Sequence, residues 1–379
     1  MNRIHRIALA ALAVALSGGY AGPPDSAAKP AIEMRGTWLD PDAFATAQAR
    51  ETTLRRVVQA NINTLFVLAP TMGRNQGSGD PKAFAELVRQ ARAKGLAVHG
   101  WICNHRRVEG TEAVDFRDSN ERRAQAAWAL SLLEAYPELD GIHLDYIRYA
   151  DWSECDAAKM DAVTMTIRQI REAMKGKFPD KFLTATSLAA ANVAYRGAWR
   201  DGKPVWEGDV PEWYRDWHRN HPDNWFDQRY KYDSKLRQNM VLGPGFLAYQ
   251  QDSPAWVRLG LLDALMPMQY TSNVDLWKTE VDLWADFLGK DNMRTICMGL
   301  GWLTEKGHDD WGYNPSALVR MIKYGRQVGV GGFCIYTLGY AADKDQQLVE
   351  ALVVDSAINA NEAPFKQTAE SPLLAPRGR

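Results

Sequence analysis

The chain is expected to fold as an α/β protein, a (β/α)8 TIM barrel with a long aromatic-rich insertion after its fifth strand. Three observations carry that expectation. Eight strand-like runs alternate with helix-like runs over about 320 residues, which is the strand count and length of such a barrel. The run Leu139-Asp140-Gly141-Ile142-His143-Leu144-Asp145-Tyr146-Ile147-Arg148-Tyr149 reads as a short buried strand that turns polar at its end. The first strand runs into Asp40-Pro41-Asp42 rather than a Gly-rich phosphate loop, which disfavours the open doubly wound sheet.

The elements follow in order. Residues 1–21 have the layout of a secretory signal peptide: a basic start from Met1 to Arg6, an apolar run from Ile7 to Leu16, and small residues leading to Ala21. Cleavage after Ala21 is expected, with an uncleaved anchor as the alternative, and the mature protein is expected in the periplasm or outside the cell. No cysteine lies near that point, which disfavours a lipoprotein. Residues 22–32 are a Pro/Ala/Ser-rich linker. The barrel is expected over 33–358, opening with strand Met34 to Leu39 and helix Glu51 to Ala60. Strand Ile62 to Ala69 comes next, then a helix from Asp80 to Lys94 that begins with a good cap, Asp80-Pro81, and stops at Gly95.

Strand Leu96 to Cys103 and helix Ser119 to Tyr136 precede the run around Asp145, which helix Ala158 to Lys177 follows. Phe182 to Leu188 is the fifth strand. The insertion, 191–253, is dense in Trp, Tyr, Asp, His and Arg with weak periodicity, and is expected as a lid or wall on the catalytic face. Strand Ala264 to Tyr270 with helix Val274 to Leu288, strand Arg294 to Leu300 with helix Pro315 to Val328, and strand Gly331 to Leu338 with helix Asp343 to Val354 complete the ring. Residues 359–379 read as a disordered tail.

A formal net charge of -1 over 379 residues implies no strong electrostatic partner. No basic patch points to nucleic acid, and no second apolar run is long enough to span a membrane. Export makes disulfides worth weighing. Cys103 and Cys155 follow neighbouring strands and could bridge, whereas Cys297 and Cys334 read as small core residues. No Cys/His spacing suggests zinc, the first strand lacks the His-x-His of a metal-dependent barrel hydrolase, and no Gly-x-Ser-x-Gly elbow is present. No cofactor is expected.

Chemistry in a barrel gathers at the C-terminal ends of its strands. Asp145 occupies that place, with capping of the following helix or pairing with Arg148 as its plain structural role. The same phase on other strands selects His99, Trp101 and Asn104, then His143 and Arg148, then Gln269, Tyr270 and Tyr336. Such a mixture suits a glycan, whose hydroxyls need hydrogen bonds and whose ring faces need aromatic surfaces. His99 and His143 read equally well as hydrogen-bonded barrel residues, and Trp101 as core. Glycosidic cleavage generally uses two carboxyl groups. Asp145 is one candidate, and Glu207 or Asp209 in the insertion are candidates for the other. A non-catalytic sugar-binding barrel is the main alternative, and a metal-dependent hydrolase or deacetylase a lesser one.

Met34-Arg35-Gly36-Thr37-Trp38-Leu39, Ile62-Asn63-Thr64-Leu65-Phe66, Gly95-Leu96-Ala97-Val98-His99-Gly100-Trp101-Ile102 and the Asp140 to Tyr149 run together resemble the bacterial exported family-10-like glycosyl hydrolases. Leu265-Met266-Pro267-Met268-Gln269-Tyr270 and Gly331-Gly332-Phe333 continue the likeness. It implies a barrel glycosidase, some of whose relatives act on peptidoglycan, with Asp145 at the family's acidic position on strand four. Many relatives carry a second acid immediately after it; this chain has Tyr146 there.

Overall fold

The structure, a computed structural model, describes residues 33–70, 79–105, 113–149, 157–188, 195–200, 203–206, 240–241, 250–302, 314–338 and 342–353. The expected signal peptide, linker and tail therefore lie outside the described residues. Within them, strands and helices alternate as β1 Met34–Leu39, α1 Ala47–Gln59, β2 Thr64–Leu68, α2 Pro81–Ala93, β3 Ala97–Cys103 and α3 Ser119–Ala135. The order continues with β4 Gly141–Asp145, α4 Ala157–Lys177 and β5 Phe182–Leu188. After the insertion come α5 Ser253–Arg258, β9 Ala264–Met268, α6 Val274–Leu288, β10 Cys297–Gly301, α7 Pro315–Val328, β11 Gly332–Tyr336 and α8 Ala342–Val353.

Eight parallel strands run in the order β10-β11-β1-β2-β3-β4-β5-β9. A parallel bridge between Leu265 and Ile296 joins the two ends of that order. The fold is a TIM barrel, as the alternation of elements predicts.

Helix boundaries follow local chemistry. Thr46 accepts the N–H of Ala49 at 3.1 Å and starts α1 several residues before its apolar periodicity becomes visible. Asp80 caps α2 through Lys82 N–H at 3.0 Å, and Gly95 leaves the helix at φ +79°. Between helices and strands the core is filled by large side chains, among them Trp256, Trp277, Trp284, Phe84 and Phe116, all fully buried. Much of the chain's aromatic content therefore belongs to packing.

The floor of the barrel, at the N-terminal ends of the strands, repeats one device. The residue just before β2 is Asn63, just before β4 Asp140, and just before β9 Asp263. Their side-chain oxygens accept the N–H of Arg35, Val98 and Leu183 at 2.9, 2.8 and 2.7 Å, the second residue of the preceding strand each time. Their own backbone N–H groups return to the carbonyls of those same residues. Both acids are further paired with an arginine, Asp140 with Arg92 of α2 and Asp263 with Arg171 of α4. Before β11 the matching position is Gly331, where a Cβ would lie 1.8 Å from the carbonyl oxygen of Arg294.

Two expectations need correction. The insertion is not a loop throughout: β6 Tyr195–Arg200, β7 Lys203–Trp206 and β8 Met240–Val241 form an antiparallel sheet in the order β7-β6-β8. These strands are short and include Gly197 and Pro204, residues that weaken any strand pattern. The bridge between Cys103 and Cys155 is not formed. Cys103, the last residue of β3, is a free, buried thiol; Cys155 lies outside the described residues. Cys297 and Cys334 are free and buried in the core, as expected.

Candidate active site

The site is built on the end of β4. Ile142 and Leu144 alternate with His143 and Asp145, and because helices cover the outside of the sheet all of these are buried. Asp145 is the last residue of the strand, and Tyr146 turns the chain with φ +49°. The carboxylate holds that turn and is held in place from two neighbouring strands. Its Oδ1 accepts Tyr146 N–H at 2.7 Å and the Thr186 hydroxyl of β5 at 2.6 Å, and its Oδ2 accepts the Trp101 indole N–H of β3 at 3.0 Å.

Burial pushes the Asp145 carboxyl above the ordinary carboxylate range, while the Thr186 bond, the Arg148 charge, the Tyr146 N–H and the Trp101 N–H pull it back. An ionised carboxylate offers about four lone-pair directions. Three are taken by described donors, two on Oδ1 and one on Oδ2. The direction left among these belongs to Oδ2.

One layer below, His143 is wholly buried and bonded through both ring nitrogens. Its Nε2 accepts the Trp38 indole N–H of β1 at 2.9 Å, so in the neutral ring Nδ1 carries the hydrogen and donates to Thr184 Oγ1 at 2.9 Å. Thr184 in turn donates to the carbonyl of Ile142 at 3.3 Å. Burial first, and the neighbouring His99 second, hold the imidazole well below the ordinary histidine range. His99 lies deeper, buried against the rings of Phe66 and Phe182 and the α-carbon of Gly141, where any Cβ would meet its Nδ1 at 2.8 Å. Both histidines are buried beneath the layer of Asp145.

The remaining candidates divide. Trp101 is buried and acts on Asp145 rather than as an open platform. Asn104 extends the β3–β4 ladder through its N–H to Asp145 O at 2.7 Å, and its side-chain amide donates to Gln125 of α3 at 2.7 Å. Arg148 lies with its guanidinium 4.5 Å from the centre of the Tyr146 ring. Asp145 also has a structural role, holding the turn at Tyr146 rather than capping the next helix. Tyr270 and Tyr336, both partly exposed, stack with centroids 5.2 Å apart and planes within 15°, and each meets Trp38 edge-on. The Tyr270 hydroxyl is held well above its usual range by burial first, with the charges of Cys334, Tyr336 and Asp145 among the lesser causes. Gln269, next in the chain to Tyr270, is buried. Glu207 and Asp209 lie outside the described residues.

Thr184, Thr186 and Trp38 are site residues the sequence reading passed over. Applying the phase rule to strands one and five would have found them: Trp38 two residues before the polar Asp40, and Thr184 and Thr186 alternating on β5. Among the described residues no group of three or more His, Cys, Asp or Glu is placed to hold a metal ion, and no helix is long and apolar enough to cross a membrane.

No protein-family model and no curated protein matches the sequence. Solved structures match the fold. A chitinase from Bacteroides thetaiotaomicron aligns with a TM-score of 0.52 at 11% identity, covering 84% of this chain and 95% of that one. A family GH18 chitinase from Cycas revoluta, solved with allosamidin, gives 0.52 at 9% identity over 84% and 99% of the two chains. The spore cortex-lytic enzyme SleL of Bacillus cereus gives 0.50 at 12% identity over 84% and 74%. At such identities the likeness is one of fold.

Proposed function

We propose that this chain is an exported glycoside hydrolase that cleaves O-glycosidic bonds in a polysaccharide or cell-wall glycan, with Asp145 as its acid. The observation that carries the reading is the state of that carboxyl. It sits at the C-terminal mouth of a TIM barrel, burial raises its affinity for a proton, and three donors fix its orientation. A raised, oriented carboxylic acid is what protonation of a departing glycosidic oxygen requires. The Tyr270–Tyr336 stack beside it offers a face for a sugar ring. Support also comes from the resemblance to family-10-like glycosyl hydrolases and from fold neighbours that include chitinases. The leader over 1–21 supports periplasmic or extracellular placement.

The substrates to try are N-acetylglucosamine oligomers and purified peptidoglycan. Asp145→Asn keeps the shape and removes the proton; turnover is expected to fall by roughly 100- to 10,000-fold, the range of general acid catalysis. A variant that melts normally and turns over near normally would sink the assignment. Glycan binding without turnover in the unaltered protein would favour the sugar-binding barrel.

A further inference from the structure

We infer that Asp40, at the mouth end of β1, is the second carboxyl of this site, facing Asp145 across the opening and serving as the base that activates water. The inference deepens the glycosidase reading and rests on it for the chemistry, though not for the geometry.

The geometry begins one layer down. Trp38 points into the barrel, because its indole reaches His143 on β4 at 2.9 Å. The backbone of Asp40 is still extended, with φ −81° and ψ 164°, so strand alternation carries its side chain to the same side as that of Trp38. Asp145 stands in the same relation to His143. The two carboxyls therefore sit one layer above a pair of side chains already in contact. An indole and an imidazole end to end span the gap below. Two aspartate side chains are much shorter, so above that pair they stand apart, with room for a sugar and a water between them. That arrangement belongs to inverting glycosidases, whose carboxyl groups lie about 6.5–9.5 Å apart.

Two further observations agree. Asp40 occupies the N-cap of the short helical turn at Pro41–Ala43, where the chain leaves the mouth end of β1. Cys103, the register partner of Asp145 at the end of β3, feels both carboxylates. Burial is the main cause raising its thiol, followed by the charge of Asp145 and then that of Asp40. Asp40 is half-buried, which suits a group that must meet solvent water.

The step balances. The Asp145 proton passes to the glycosidic oxygen as its bond to the anomeric carbon breaks and the electron pair leaves with that oxygen. Water attacks the anomeric carbon from the opposite face and gives a proton to Asp40. The products are two hydroxyls, and a proton returns from Asp40 to Asp145 through solvent.

The experiment compares Asp40→Asn with the exposed control Asp42→Asn, each with a thermal melt. Turnover of N-acetylglucosamine oligomers and peptidoglycan is read against pH, and the Asp145 carboxyl is titrated by carbon NMR. Asp40→Asn is expected to lose about 100- to 10,000-fold of turnover, to lose the acidic limb of the pH profile, and to let Asp145 release its proton at lower pH, because a like charge has gone. Asp42→Asn should behave as the unaltered protein, whose first product should carry the inverted anomeric configuration. Near-normal turnover in a folded Asp40→Asn variant, or a retained configuration, overturns the role of Asp40 while leaving that of Asp145. If the unaltered protein cleaves neither substrate, the glycosidase reading fails with its chemistry. The NMR titration still decides the geometry: a fall in the Asp145 midpoint supports the facing pair, and an unchanged midpoint overturns it.

Discussion

Replacing Thr186 by valine removes one donor from Asp145 with almost no change of shape, and its consequences can be worked from the site. Thr186 is 2% exposed and donates to Asp145 Oδ1 at 2.6 Å. A hydrogen bond to a charged group contributes roughly 1.5–3 kcal/mol. Its loss should show as a drop in melting temperature of roughly 2–5 °C at neutral pH, since an unfolding entropy of about 2.1 cal/mol/K per residue over about 320 residues converts to about 1.5 °C per kcal/mol. The size of the loss should depend on pH. The bond favours the ionised carboxyl, so without it Asp145 holds its proton more tightly in the folded state than it already does. A carboxyl raised on folding contributes stability that is complete below its unfolded value, near pH 3.9, and lost as pH climbs through its folded value. The variant loses more over that climb, so the gap between the two proteins should be smallest in acid and full at neutral pH. The alkaline limb of any pH–rate profile should move upward for the same reason. Melts at several pH values between about 4 and 8 provide the assay. A destabilisation of constant size, or an alkaline limb that moves down, would refute the assignment of Thr186 as a donor to an ionised carboxylate.

Two other outcomes are expected. Asp140→Ala removes the carboxylate that pairs with Arg92 and accepts Val98 N–H in a buried place; the cost by chemical denaturation should be about 3–5 kcal/mol. Asp140→Asn keeps the acceptor and should cost less, so equal losses would show that the N–H bond contributes nothing. Nitrogen NMR should find His143 neutral, with hydrogen on Nδ1, at and below the ordinary histidine midpoint near pH 6.5. Because its folded value is depressed, the stability it contributes is present above its unfolded value, near pH 6.5, and is lost as pH falls. A His143 signal titrating near the ordinary value would contradict the Trp38–His143–Thr184 chain.

The barrel was legible because its strands are buried on both faces and its helices carry their own start and stop signals. The limits of β5 and α7 fall where apolar runs, Pro315 and the Gly329 turn put them. Asp145 was legible too, since a polar residue closing a buried strand has few other uses. What surrounds it was not. Trp101 and Trp38 look like core aromatics in any one-dimensional reading, and their indole N–H groups matter only once β3 and β1 are brought round to β4. His99 and His143 carry the polar signature of a site and lie beneath the layer of Asp145, a depth that alternation cannot report. Asp40 was read only as part of Asp40-Pro41-Asp42, a run that argues against a phosphate loop.

The repeated stitch on the barrel floor gives the ring a seam. Side chains of Asn63, Asp140 and Asp263 sew β1 to β2, β3 to β4 and β5 to β9, while the fourth couple, β10 and β11, has only Gly331 at the equivalent place. The same quarter of the circle contains its thinnest junction: β9 meets β10 through the single bridge Leu265–Ile296, where every other neighbouring pair shares a register of four or five residues. A hoop gives way where it was closed, not where it was woven. Tyr270 lies just past the end of β9 and Tyr336 closes β11, so the two rings that face the opening stand on opposite sides of that closure. Any widening of the seam would part the stack before it disturbed Asp145, which sits on the tightly sewn side.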